Sequence, residues 1–299
     1  MAKIVFDIDN TMDKNSLLIW YPKIKDLDIP QPRTEVVTLT KEELKVMCNE
    51  QLPMTVAERV EAVIKAKFKL PVFLRTDLIS GKHGWDKTCY YDGTGKLWKQ
   101  LLNILVDNLL ADKFTFTCFV IREYIPMASA FTAFYGNMPV NPERRYFIKG
   151  GAIKCHHPYW IKDSILPNFK KALPDDWPEL LEQMNNDTPR DVSVLTWDAL
   201  KVADKFKGHW SVDFCKAANG RWILIDMATA KDSWHPEECK FNVDKEKPIT
   251  WRGCGYYWEM YDLRHTWGSM RCNQKIIGKP DDCSGCPLSR MIKSKEMIS

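Results

Sequence analysis

The stretch 209–228, HWSVDFCKAANGRWILIDMA, constrains the fold more than any other part of this 299-residue chain. Two apolar and aromatic runs flank Asn219-Gly220, a pair that favours the two-residue turn of a β-hairpin. Such a turn pairs Ala218 with Arg221, Ala217 with Trp222 and, further out, Asp213 with Asp226. The two carboxylates then project from one sheet face with Cβ atoms roughly 4.5–5.5 Å apart. Ionised, they repel by about 3 to 4 kcal/mol at an effective dielectric of roughly 20. Val212, Phe214, Ile223 and Ile225 mark the hairpin as largely buried, so the pair needs a cation or a shared proton. A hard, oxygen-seeking ion such as Mg²⁺ suits an all-carboxylate donor set. A one-residue slip in register would instead turn one acid to solvent.

A second hairpin is expected in ERRYFIKGGAIKCHH, turning at Gly150-Gly151. Its register sets Arg145 opposite His156 and Phe147 opposite Lys154, so that Arg145, Lys154 and His156 share one face. Three such groups need an anion, for which a transferring phosphoryl group is one candidate, or else a solvent-exposed face. His157 falls on the opposite face, as a packed or capping residue rather than a ligand.

Upstream, PVFLRTDLISGKHGWDKTCYY places Arg75 at a strand end and Lys82 and Lys87 in a loop with Gly81 and Gly84. Glycines let backbone N–H groups approach phosphate oxygens closely, and a basic loop can close over a polyphosphate. A solvated hairpin tip is the alternative. Thr40 with Glu43, and Thr55 with Glu58, have capping-box spacing and predict helices over about 41–50 and 56–69. Further helices are expected near 97–111 and in PELLEQMNND and DALKVADKF, with strands in EVVTLT, TCYY and FTFTCFVI.

The order of these pieces resembles the ATP-grasp superfamily over about residues 71 to 230. FLRTD…GKHGWDK particularly resembles a largely phage-associated clade named for one arginine and two lysines. The resemblance implies an α+β fold of two lobes clasping ATP, residues 71–126 and 127–232, after a small N-terminal α/β lobe (1–70) and before a C-terminal extension (233–299). It also implies phosphate contacts from Arg75, Lys82 and Lys87, with adenine and ribose held by Glu123, Tyr124 and Ile125. Magnesium, as one or two ions, would sit on Asp213 and Asp226, with Arg145 and Lys154 near the transferred phosphate. Where the family often has an Asn two residues beyond the second acid, this chain has Ala228, leaving Thr229 or water as the third ligand. The implied reaction passes the γ-phosphoryl group of ATP to an oxyanion, most simply a peptide or amino-acid carboxylate that is then joined to an amine. An RNA terminal phosphate, activated for end joining in RNA repair, is the alternative acceptor. The net charge of +4 and the 12 Trp and 10 Tyr permit that second acceptor.

Two other features suggest different chemistry. KIVFDIDNTMD, residues 3–13, has the Asp7-x-Asp9-x-Thr11 order of a haloacid-dehalogenase-type phosphatase. Such an enzyme needs a further acidic pair downstream, and the adjacent aspartates of this chain are Asp175-Asp176 and Asp281-Asp282, each after a proline instead of a strand. The chain has ten cysteines, and among them Cys254, Cys272, Cys283 and Cys286 contain one C-x-x-C able to serve a structural zinc, with Cys239 as a competing choice. Reduced thiols of a cytosolic protein are the other reading. No apolar run reaches the roughly 18 residues that span a bilayer. The expectation is a soluble, cytoplasmic chain without a membrane partner, in a host-cell cytoplasm if phage-encoded.

Overall fold

Two four-stranded antiparallel sheets carry the fold, and the alternation of side chains along their strands decides what lies between them. The computed structural model describes residues 13–47, 51–111, 113, 115–134, 137–165 and 173–242. The phosphatase-like motif at residues 7–11 and Cys254, Cys272, Cys283 and Cys286 lie outside the described residues.

The first sheet has the order β1 (Thr34–Thr38), β4 (Cys118–Glu123), β2 (Val72–Thr76), β3 (Tyr90–Tyr91). One face carries Val37, Val72, Leu74, Phe119 and Ile121, which bury against α3 (Met54–Lys67) and α4 (Leu97–Leu110). The helices answer with Val56, Val60 and Ile64, and with Leu101, Ile104 and Leu105, each set at the spacing of one apolar helix stripe. The other face carries Phe73, Arg75, Val120 and Arg122. Because β1 pairs with β4 along its whole length, the boundary expected at residue 70 runs through this sheet.

The capping box at Thr40 forms, with Thr40 N donating to Glu43 at 2.9 Å and Glu43 N to Thr40 Oγ1 at 3.2 Å, and opens α2 (Lys41–Met47). The second expected box does not form: α3 begins two residues earlier, at Met54, with Pro53 in the capping position.

The second sheet has the order β10 (Trp222–Thr229), β9 (His209–Lys216), β7 (Glu143–Lys149), β8 (Ala152–Pro158). Its apolar face, with Tyr146, Ile148, Val212 and Phe214, packs on α6 (Pro189–Ala203). Helix α1 (Leu17–Ile24) joins this core through Leu17, Trp20 and Ile24, together with Cys118 and Val120 of the first sheet. The helix is held there by Asp77, whose carboxylate accepts from Ser16 Oγ at 2.6 Å and Thr117 N at 2.9 Å. Pro22 lies inside α1, whose buried residues Leu17, Trp20 and Ile24 have helical spacing. The remaining elements are a short pair, β5 (Phe131–Ala133) with β6 (Met138–Val140), and α5 (Trp177–Asn185).

Both expected hairpins form, each with a bulge. At Asn219-Gly220, Ala217 N donates to Arg221 O at 2.7 Å, so the loop holds three residues, closed by Gly220 at φ 82°. The strands start one step off the predicted register, Trp222 lying opposite Lys216, and an irregularity at Ile225 restores it, bringing Asp226 opposite Asp213. In the Gly150-Gly151 hairpin, Lys149 faces Ala152 as expected, but a bulge past Ile148 shifts the rest. Arg145 therefore faces His157, not His156, while His156 stacks on Tyr146 at 4.8 Å on the opposite face. A bulge adds one residue to one strand and exchanges the faces of everything beyond it.

Candidate functional site

The two sheets present their charged faces to a common cleft. It encloses about 860 Å³ of space, open solvent at its mouth included. From the first sheet come Arg75 and Arg122, two apart across the β2–β4 ladder in that Arg75 pairs with Val120 and Arg122 with Phe73. From the second come Glu143, Asp213 and Asp226. Lys82 enters from the 3₁₀ segment Lys82–Lys87.

The sequence assigned the Asp213–Asp226 pair to a metal because two buried carboxylates facing each other need a cation or a shared proton. Folding supplies arginines instead. Arg145, opposite Asp213 across β7 and β9, grips it with two bonds, Nε to Oδ1 at 2.8 Å and Nη2 to Oδ2 at 2.7 Å. Arg75 Nη1 lies 2.9 Å from Asp226 Oδ2 and joins the two sheets. Burial opposes the charge on Arg145, but Asp213 beside it more than offsets this, and its guanidinium is raised above its ordinary value. These acids still fit a hard divalent cation. A carboxylate offers about four lone-pair sites, and the protein bonds occupy only some of those on Asp213 and Asp226.

Lys82 meets a carboxylate the sequence reading passed over. Its Nζ lies 3.1 and 3.5 Å from the two oxygens of Glu143, and it sits over the rings of Tyr159 and Trp160 at 4.1 and 4.5 Å. Burial alone would lower the ammonium, yet Glu143 and then Tyr159 reverse the balance, and Lys82 is raised well above its ordinary value. Burial pushes Glu143 upward in turn, with Lys82 opposing. The two-oxygen contact is that of an ion pair, and we take both groups as charged. Arg122 was also missed. Burial first, and the neighbouring Arg75 next, bring its guanidinium down to about 9, and it donates to the Ile225 carbonyl of β10.

Apolar and aromatic side chains also line the cleft. Trp85 stacks on Tyr90 with centroids 5.5 Å apart, and Tyr124 meets Tyr90 edge-on at 5.1 Å. Phe73, Trp85, Tyr124, Ile125, Met138 and Ile225 are among the cleft's lining residues. Glu123 also lines it, its Oε1 accepting from Arg33 N at 2.9 Å.

Of the residues expected at the site, Arg75, Lys82, Glu123, Tyr124, Ile125, Asp213 and Asp226 line the cleft, and Arg145 stands behind Asp213. Lys87 and Lys154 do not line it. Lys87 closes the 3₁₀ segment, where Asn103 binds its carbonyl at 2.7 Å, and Lys154 falls at the β8 bulge. Thr229 is turned away from Asp226 by strand alternation and bonds Asp232. The glycines of the basic loop serve packing: Gly84 N donates to Gly81 O at 3.1 Å, and a Cβ on Gly84 would meet the Thr88 side chain at 2.7 Å.

His83, beside Lys82, stacks on Phe134 at 4.1 Å. Burial, with the Lys82 charge next, holds its imidazole down to about 3, against 6.5 for an ordinary histidine. The folded chain thus takes up this proton less readily than the unfolded chain. The associated stability is present above about pH 6.5 and is lost as pH falls toward 3. His83→Phe keeps a ring against Phe134, and its urea midpoint should fall less than that of the native protein between about pH 6.5 and 4. Equal falls in the two proteins would remove His83 as a source of acid sensitivity.

No curated protein matches the sequence. Solved structures resemble the chain at low identity. An N5-carboxyaminoimidazole ribonucleotide synthetase from Thermotoga maritima is 8% identical over 72% of this chain and 41% of its own, with a TM-score of 0.36. A RimK-domain ATP-grasp protein from Sphaerobacter thermophilus is 12% identical over 72% and 59%, with a TM-score of 0.38. The VanG D-Ala:D-Ser ligase from Enterococcus faecalis is 12% identical over 74% and 55%, with a TM-score of 0.40. The chain thus spans roughly half the length of the solved structures it resembles. A family profile also matches the sequence: that of the ATP-grasp domain, family 3 of the clade named for one arginine and two lysines, matches residues 39–245, from the end of β1 to beyond the β9–β10 hairpin. With more than two thirds of its length inside that match, the chain belongs to this ATP-grasp family.

Proposed function

We propose that the chain is an ATP- and Mg²⁺-dependent ligase that phosphorylates a carboxylate with the γ-phosphoryl group of ATP and joins the acyl group to an amine. The observation that carries this reading is one cleft lined both by aromatic side chains, Phe73, Trp85, Tyr124 and Tyr159, and by Arg75, Lys82 and Arg122 with Asp213, Asp226 and Glu143. The aromatic side chains suit a purine, with the Tyr124–Ile125 backbone to hold its edge and Glu123 to hold the ribose hydroxyls. The cations suit a triphosphate, whose oxygens accept charge-assisted hydrogen bonds. Asp213 and Asp226 would hold Mg²⁺, which when bound neutralises phosphate charge during transfer.

Within this frame the protein positions and neutralises rather than forming covalent bonds. Arg75, Lys82 and Arg122 orient the phosphates. Arg145, which stands behind Asp213, acts through that carboxylate by holding it in place. An acceptor carboxylate oxygen attacks the γ-phosphorus, the bond to the β,γ-bridging oxygen breaks, and ADP leaves with that electron pair. The amine then attacks the acyl carbon, loses a proton, and expels inorganic phosphate. Lys87 and Lys154, which lie outside the cleft, have no part in these steps.

Incubating the full chain with ATP, Mg²⁺ and either amino-acid and peptide pools or RNA fragments tests the assignment. ADP and phosphate should accumulate only with the carboxylate and amine pools. ADP formed only with phosphate-ended RNA would move the acceptor to an RNA terminus, and AMP would contradict γ-phosphoryl transfer.

A further inference from the structure

On the same face of the second sheet, beyond Arg145, lies a cluster that the ligase reading does not use. Cys155 and His157 are two apart on the edge strand β8 and so share a face, opposite Phe147 and Arg145 of β7. The segment that leaves β10 returns over this face and adds His235 and Cys239. One ligand atom from each of the four residues lies within 4.8 Å of every other. Cys155 Sγ is 3.2 Å from His235 Nε2, and the His235 ring stacks on Phe147 at 3.9 Å. His157 Nε2 is buried without a hydrogen-bond partner, an arrangement a folded protein avoids unless something is to meet the atom.

We propose that Cys155, His157, His235 and Cys239 bind one structural zinc ion. Two thiolates and two imidazoles are a donor set for zinc, and four protein ligands close the coordination shell, as in sites that brace a fold rather than activate water. Tetrahedral bonds of about 2.0–2.3 Å place ligand atoms roughly 3.3–3.8 Å apart, so the cluster needs to contract by about 1 Å. Two thiolates cancel the charge of Zn²⁺, which suits these half-buried positions. Binding displaces the thiol protons and fixes the chain leaving β10 to the sheet's edge strand. It also fixes Trp234, next to His235, whose carbonyl accepts from Arg145 Nη1 at 3.3 Å. The ion thereby braces the arginine that holds Asp213.

This site is distinct from the one expected of Cys254, Cys272, Cys283 and Cys286, for which Cys239 is a competing choice. His157, read as a packed residue, becomes a ligand because the β8 bulge turns it to the cluster's face.

The test uses the full chain with Cys254, Cys272, Cys283 and Cys286 all changed to Ser, purified under reducing conditions and titrated with Co²⁺. One equivalent should bind, with the visible bands of tetrahedral cobalt and a thiolate charge-transfer band, and Zn²⁺ should displace it. Adding His157→Gln or Cys155→Ser should abolish those bands. Absence of cobalt binding in the four-serine chain overturns the proposal, as does unchanged binding after His157→Gln. Should Cys155→Ser fail to fold, the native chain decides by its metal content: about one zinc per molecule, retained when the four later cysteines are serine, supports the site, and its loss with them overturns it.

Discussion

Lys82→Met is expected to unfold at lower denaturant and to release no ADP. The substitution leaves Glu143 as a carboxylate 4% exposed with its cation gone. Breaking a buried pair from one side costs about 3–5 kcal/mol, most of it the penalty of the charge left behind. Glu143→Gln alone strands the ammonium instead and should cost a similar amount. The double variant Lys82→Met/Glu143→Gln removes both charges, so its loss should be well below the sum of the single losses. Equilibrium urea curves with a common slope measure this. Additive losses would show that the two side chains do not depend on each other. Restored stability should not bring back ADP release, because the cation assigned to the triphosphate is still missing. An active double variant would remove Lys82 from the phosphate site.

Asp226→Asn distinguishes two accounts of the acid pair. Were the carboxylates facing each other unpartnered, removing one charge would stabilise the protein. With Arg75 bound to Asp226 at 2.9 Å and itself only 2% exposed, the loss of the charge leaves a buried guanidinium near Arg122 with a weaker acceptor. Stability should fall by roughly 1–3 kcal/mol, the range for a buried polar group left short of its partner. ADP release should fall by roughly a thousandfold, as when a preorganised charge-stabilising group is removed. A variant that is more stable than the native protein would restore the repulsion account. Full turnover in Asp226→Asn would remove this aspartate from the metal assignment.

Much of the cleft could be read from the sequence wherever local pattern fixes geometry. Asn219-Gly220 between apolar runs placed Asp213 opposite Asp226, although by a path the sequence did not reveal. A three-residue loop shifted the register and a bulge at Ile225 shifted it back. In the Gly150-Gly151 hairpin a single bulge had no counterpart, and His156, His157 and Lys154 came out misplaced. Bulges depend on contacts of the whole strand and leave little trace in the pattern of apolar residues. Glu143 and Arg122 escaped notice because their partners, Lys82 and the Ile225 carbonyl, stand far away along the chain. Glu143 did carry a signal: it is two residues before Arg145 on one strand, so the two share a face. The spacing Cys155-x-His157 was legible too, but its complement His235-x₃-Cys239 lies on a segment without periodicity.

Among the described residues no helix is long and apolar enough to cross a membrane. The family profile begins at residue 39 and so leaves α1 outside, although that helix shares its core with both sheets.

Three bonds stitch one sheet's side of the cleft to the other: Arg75 to Asp226, Lys82 to Glu143, and Arg122 to the Ile225 carbonyl. A polyanion that docks there competes with the protein's own acceptors for the same donors. The spacing of the sheets and the occupancy of the cleft are therefore conjugate variables, since any guest that recruits these cations loosens the very seam along which the lobes meet. Guest affinity and lobe separation should shift together when either is perturbed.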